Sequence, residues 1–274
     1  MSIASHAAPA ARLHSVTVGA GPVVACLHSS GSSSGQWRQL IESQQATHSI
    51  VAFDFHGHGR SPDFAGDAYE LRSESDAVLH SLPPSRAPIH LVGHSYGGAV
   101  ALDLAVRYPG RFASVTVFEP VLFALLDHVS EEFAEITSVG WAIVRAARAG
   151  ELRVASAAFV DYWNGTGSWH GLAAEQQDRV CTRIVPVARH FEALFADPLP
   201  LARLRELRVP TLVLLGDRSP APARAVSQRL GALPFVSVEV LAGVAHMAPV
   251  THPEQVNARI ARHLQEASTL PIAA

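Results

Sequence analysis

Cysteine is nearly absent from this chain of 274 residues: only Cys26 and Cys181 occur, far apart in the sequence. That leaves no disulfide framework and no cysteine-built metal cluster, and it reads both thiols as buried. Long apolar runs are missing too. No segment approaches the roughly 20 apolar residues of a membrane span, and residues 1–14 lack the continuous apolar stretch of a signal peptide. A block of one charge sign is also lacking, since the net charge is −3 and basic residues such as Arg203, Arg205 and Arg208 stand isolated. Such a distribution offers no electrostatic footprint for nucleic acid or an anionic membrane surface. Internal repeats and low-complexity tracts do not occur. The expectation is a soluble, cytoplasmic protein whose partner is a small molecule, with no nucleic acid and no membrane span involved.

Apolar residues, by contrast, are plentiful. At 48% hydrophobic and 16% charged, the chain has ample material for a buried core and no case for general disorder. Short β-branched runs at 23–27, 49–53, 89–92, 115–118, 211–215 and 236–241 alternate with helical patterns at 36–45, 69–82, 97–108, 222–230 and 253–267. Continuous apolar runs flanked by helices predict parallel strands covered on both faces, and right-handed crossovers then give a doubly wound α/β sheet. Residues 13–18 predict an antiparallel edge strand, because Gly19-Ala20-Gly21-Pro22 makes a tight connection to the next strand.

One stretch breaks the rhythm. Between about 121 and 200 no strand signal appears, and Ala, Leu, Arg and aromatic residues recur at helical spacing. The segment reads as a helical insertion, or lid, which divides the chain into a core of residues 1–120 and 201–274 and a cap of 121–200. Entering after one strand and leaving before another, it is expected over the carboxyl ends of the strands, where open α/β sheets bind ligands.

Chemistry concentrates at Gly93-His94-Ser95-Tyr96-Gly97-Gly98, which follows the 89–92 strand and opens the 97–108 helix. A bare G-x-S-x-G match is weak, but strand, Gly-flanked serine and helix in immediate succession are the context of a nucleophile elbow. The glycines allow a turn so tight that side chains at Gly93 and Gly97 would collide with neighbouring strands, and the strain exposes the serine hydroxyl. Free N–H groups at the start of the helix, with its positive dipole end, favour negative charge developing there.

Around that elbow the sequence resembles the α/β-hydrolase superfamily from about Leu13 to Leu264, apart from the insertion. Leu27-His28-Ser29-Ser30, followed by Trp37, is similar to the family's His-Gly-x loop, with Ser29 in place of the usual Gly. The resemblance implies a mostly parallel sheet of the eight-stranded type and two oxyanion N–H donors, which carry over to Ser30 and Tyr96. Asp54-Phe55-His56-Gly57-His58-Gly59-Arg60-Ser61 is similar to a structural turn of the family, with His56 where Arg is common. A zinc reading of its Asp and two His is poor, because a glycine-interrupted turn makes a poor cage. Gly243-Val244-Ala245-His246-Met247-Ala248-Pro249 lies between the last strand and the last helix, where the family carries its catalytic histidine.

The acid of the implied triad stays open between two residues. Most relatives carry Gly-x-x-Asp after the strand that corresponds to 211–215, but this chain has Gly216-Asp217-Arg218-Ser219, with Ser219 at the acid position. Glu119, directly after the 115–118 strand, is the first choice, since it has few purely structural explanations. Asp217 is the alternative, and a Gly-Asp turn explains it without catalysis. The resemblance then implies a serine hydrolase, carboxylesterase-like, acting through an acyl-enzyme on a small apolar ester without metal or organic cofactor. Thioester, lactone, amide and carbon–carbon bond hydrolysis are siblings that these motifs do not separate, and a non-catalytic small-molecule binder of the same fold is the alternative class. Phe123, Trp141, Phe159, Tyr162, Trp163, Trp169, Phe191 and Phe195 are the aromatics available to line a pocket, and His190 reads as a packed histidine.

Overall fold

The computed structural model describes residues 12–66, 68–196 and 199–269. The expectation about a leader in residues 1–14 therefore falls largely outside the described residues. In chain order the elements are β1 (Ser15–Val18), β2 (Val23–Leu27), α1 (Arg38–Gln44), β3 (Ser49–Phe53), α2 (Leu71–Ser81), β4 (Ile89–His94), α3 (Tyr96–Arg107) and β5 (Phe112–Phe118). Then come α4 (Glu131–Arg148), α5 (Leu152–Asn164), α6 (Ala174–Cys181), α7 (Ile184–Ala196), α8 (Leu201–Leu204), β6 (Thr211–Gly216), α9 (Ala221–Leu230), β7 (Val236–Leu241), α10 (Ala248–Thr251) and α11 (Pro253–Thr269).

The sheet runs β1-β3-β2-β4-β5-β6-β7, with β2 to β7 parallel and β1 antiparallel at one edge. Among the described residues it has seven strands, within the eight-stranded type that the resemblance implies. The edge strand is antiparallel as expected, but its partner is not the next strand. Ser15 lies opposite Phe53 and Val18 opposite Ile50, so β1 pairs with β3. The reason lies in the glycine link: a Cβ on Gly19 would sit 2.3 Å from the His48 carbonyl oxygen, and one on Gly21 2.4 Å from that of Thr47. The connection is threaded against the entrance of β3 and passes under it to reach β2.

Alternation along the strands feeds two apolar layers. Ile50 and Ala52 of β3 join Val24, Cys26, Val92 and Leu214 on the face covered by α1 and α11. Val51 and Phe53 join Leu27, Leu91 and Val117 on the face covered by α2, α3 and α9. Period-two geometry assigns successive side chains to opposite faces, so a fully buried strand must be apolar throughout. The two outer parallel positions differ. β6 is buried along its length, whereas β7 ends the sheet and leaves Val240 59% exposed.

Between β5 and β6 the described residues contain helices and turns and no strand. Phe123, Ile136, Ile143, Trp163 and Phe191 from this segment share one apolar cluster with the β5 and α9 side chains. α4 and α7 approach closely because position 140 is glycine: a Cβ there would meet the Phe195 and Phe191 rings at 2.7 and 2.8 Å. Of the two thiols, Cys26 is buried as expected, while Cys181 at the end of α6 is only half-buried; both are free. No helix among the described residues is long and apolar enough to cross a membrane.

Strand order sets where a ligand belongs. The chain steps from β2 to β3 on one side and then crosses to β4, β5, β6 and β7 on the other. The carboxyl ends of β2 and β4 therefore flank a crevice, and the loops holding Ser30 and Ser95 leave from those two ends.

Candidate active site

Ser95 sits between β4 and α3 with φ 55° and ψ −116°, a region that side-chain-bearing residues rarely occupy. Such a conformation costs on the order of 1–3 kcal/mol and persists only where the surroundings over-determine it. They do so here. The Ser95 N–H donates to the Phe118 carbonyl at 2.9 Å, and its own carbonyl accepts from Gly98 and Ala99 at 2.9 and 3.1 Å. Space at the bend exists because of the flanking glycines. A Cβ on Gly97 would lie 2.3 Å from the Leu27 carbonyl oxygen at the end of β2. One on Gly93 would lie 2.4 Å from the Gly97 carbonyl oxygen. The collision foreseen at Gly97 is with a neighbouring strand, whereas that at Gly93 is with the first turn of α3.

His246 comes from the loop between β7 and α10 and is 2% exposed. Its Nδ1 lies 2.7 Å from Oε2 of Glu119, which is fully buried. A carboxylate accepts only, so Nδ1 carries the proton and Nε2 is left as the basic nitrogen. Glu119 has φ 44°, and its N–H donates to the Leu214 carbonyl at 2.9 Å. Its second oxygen accepts from the Gly216 N–H at 2.7 Å and from the Ser219 hydroxyl at 2.5 Å. Ser219, standing where relatives carry an aspartate, thus orients the glutamate that reaches the histidine. Asp217 is exposed and accepts from the Gly243 N–H at 2.8 Å, a turn contact, while the imidazole Nδ1 is paired with Glu119.

Two further groups hold His246. His94, beside Ser95, donates from Nε2 to the His246 carbonyl at 2.9 Å, and burial holds its own pKa well below the ordinary histidine value. Trp163 of α5 stacks on the His246 ring with centroids 3.9 Å apart. The sequence pattern singles out neither: the second position of the G-x-S-x-G motif is unrestricted, and Trp163 is one aromatic among eight.

The loop after β2 lines the same cavity as Ser95 and His246. Ser29 takes the place of the usual glycine by donating its N–H and hydroxyl to Gln36 Oε1 at 3.1 and 3.0 Å. His28 accepts from the Phe55 N–H at 3.0 Å, and His58 accepts from the Gly31 N–H at 3.0 Å. Their other nitrogens pair with the Ser29 and His56 carbonyls. These histidines wire the loop to the 54–61 turn, and burial lowers the His28 pKa to about 3. His56 pairs instead with the buried Glu74 at 3.1 Å. Ser30 bonds through its hydroxyl to His190 Nδ1 at 2.8 Å, and His190 stacks on the Tyr96 ring at 3.7 Å. Tyr96 is the first residue of α3, so its N–H is among those a helix leaves without an internal partner.

Ser30, Ser95 and His246 line one cavity of about 550 Å³. Of the eight candidate aromatics, Phe123, Phe159, Trp163 and Phe191 reach it. Trp141, Tyr162, Trp169 and Phe195 do not line it; Tyr162, for instance, donates its hydroxyl to Glu135 at 2.8 Å.

Comparison with known proteins agrees with this architecture. A pimeloyl-(acyl-carrier protein) methyl ester esterase from Methylococcus capsulatus is 36% identical over 101 residues, which is 37% of this chain and 38% of that protein. The matched stretch thus spans well under half of that relative's length. A dihydrolipoyllysine-residue acetyltransferase component of an acetoin cleaving system from Cupriavidus necator is 28% identical over 259 residues, 90% of this chain and 64% of that protein. Among solved structures, MGS-M2, an alpha/beta hydrolase from a Medee basin deep-sea metagenome library, superposes with a TM-score of 0.75 at 16% identity, covering 92% of this chain and 94% of its own. A thermophilic esterase from Thermogutta terrifontis gives 0.70 at 20% identity and 94% of both chains. Identities this low speak to the fold alone. The model of the Alpha/beta hydrolase family matches residues 24–259, and the chain belongs to that family.

Proposed function

We propose that the protein is a serine hydrolase that cleaves ester bonds through an acyl-enzyme. Ser95 acts as nucleophile, His246 as general base and Glu119 as the acid that orients it. The observation that carries this reading is the 2.7 Å contact between His246 Nδ1 and a fully buried Glu119, with His246 and the strained Ser95 lining one cavity. His246 Nε2 takes the Ser95 proton as Oγ attacks the carbonyl carbon, and Glu119 stabilises the imidazolium that forms. The Ser30 and Tyr96 N–H groups donate to the oxyanion. Collapse of the tetrahedral intermediate breaks the carbon–oxygen bond, and His246 returns the proton to the departing alcohol. Water then attacks the acyl-enzyme by the same route and frees the acid.

We infer that residues 121–200 form a lid. Its α5 and α7 supply Phe159, Trp163 and Phe191 to the cavity, an apolar surround that suits an acyl chain of modest length. The volume lies within the range of about 300–1,000 Å³ usual for small-molecule sites. Names among the relatives support ester chemistry, notably the methyl ester esterase. A series of p-nitrophenyl esters of increasing acyl length is the test. Turnover should be measurable for a short or medium chain and should vanish in Ser95→Ala; a serine variant as active as the parent sinks the assignment.

A further inference from the structure

Among the described side chains that line the cavity, one carries a permanent charge: Arg183. It stands in the turn between α6 and α7, half-buried, and Nη1 donates to the Gly31 carbonyl at 3.2 Å. That bond engages one of the five N–H donors of a guanidinium. Among the described residues no carboxylate is paired with it, a state it shares with exposed arginines such as Arg60, Arg111 and Arg145; it differs from them in lining the cavity. Helix stability does not explain its position either. The Arg183 carbonyl accepts from the Val187 N–H at 3.2 Å, which puts the cation at the N-terminus of α7, the end where the helix dipole disfavours positive charge.

We propose that Arg183 is an anion subsite, and that the substrate carries a carboxylate in addition to the carbonyl that Ser95 attacks. This deepens the hydrolase reading above and rests on it. A carboxylate matches the planar fork of a guanidinium in a two-point contact, and apolar walls strengthen the pairing by excluding water. The α7 dipole, unfavourable for the empty cation, favours the same anion. One arginine balances one negative charge. A phosphate dianion would leave excess negative charge in a cavity whose lining includes Phe159 and Val187, so a monoanion fits better. Because Gly31 adjoins Ser30, the anion is held on the oxyanion-loop side of the cavity.

Binding and turnover separate this subsite from the hydrolase reading. Calorimetry on Ser95→Ala compares monomethyl adipate, which keeps one carboxylate, with dimethyl adipate, which is neutral. The monoacid should bind about tenfold tighter or more, as a charge-assisted pair in a partly buried site allows. Adding Arg183→Gln should collapse that preference while leaving dimethyl adipate affinity within about threefold, and Arg183→Lys should retain part of it. Equal affinity for the two ligands in Ser95→Ala overturns the subsite. So does an equal loss of both in the Arg183→Gln background, which marks Arg183 as a latch on Gly31 only. Both readouts hold whether or not the parent protein hydrolyses p-nitrophenyl hexanoate, and failure there counts against the hydrolase reading alone.

Discussion

At the scale of single residues, two carboxylates near the strand ends do different jobs because of what surrounds them. Glu119 is fully buried, and its two oxygens share three donors: His246, the Gly216 N–H and the Ser219 hydroxyl. Asp217 is exposed and closes a turn onto Gly243. Glu119→Gln would present an amide that fits neither the tautomer nor the charge of the imidazolium, and kcat should fall on the order of 10³- to 10⁴-fold. Asp217→Asn should change kcat by no more than about threefold, since it perturbs an exposed turn contact. Side-by-side steady-state kinetics on one ester check both, and the reverse ranking would reassign the acid. Ser219 occupies the spacing at which a carboxylate is usual, so the sequence held the clue as a missing aspartate. It could not say that the vacancy is filled by a hydroxyl serving a glutamate 100 residues earlier.

At the scale of elements, the bend between β4 and α3 depends on close backbone approach. Gly97→Ala would drive a methyl group to 2.3 Å from the Leu27 carbonyl oxygen, backbone against backbone, where nothing swings aside. A loss of about 3 kcal/mol or more is expected from this overpacking. Gly35→Ala, whose added carbon would meet only the Ser33 hydroxyl at 3.6 Å, should stay within about 0.5 kcal/mol. Urea denaturation of the two variants tests the contrast. The elbow was legible because its restrictions are local: strand, bend and helix follow one another within a few residues, and periodicity marks each. The partner of β1 was not, since Gly19 and Gly21 suggest a hairpin but are needed for passage beside His48 and Thr47. Nor were Trp163 and Arg183, because helical spacing in the insertion fixes which residues share a face and not what that face meets.

At the scale of the whole molecule, the unusual feature is how many histidines are buried as neutral rings. Burial lowers His28 to about 3 and His90 to about 4, and it lowers His58, His94, His190 and His263 as well. Unfolded histidines titrate near about 6.5. Between that value and the folded ones, the unfolded chain binds more protons, so stability present above pH 6.5 is lost as pH falls. Each ring whose folded pKa lies well below that window removes up to about 1.4 kcal/mol per pH unit within it. The unfolding midpoint should therefore drop steeply between pH 6.5 and 5, with uptake of several protons; a midpoint flat across that range contradicts the neutral rings. The proposed catalysis requires Ser95 to be chemically activated by His246 and Glu119, and covalent labelling reads that directly. Incubation with a fluorophosphonate, followed by intact-mass and peptide analysis, should place one adduct on Ser95, slowed severely in Glu119→Gln and absent in Ser95→Ala. An unlabelled parent protein, or equal labelling of Ser95→Ala, would contradict it and leave the fold serving to bind a small molecule without cleaving it.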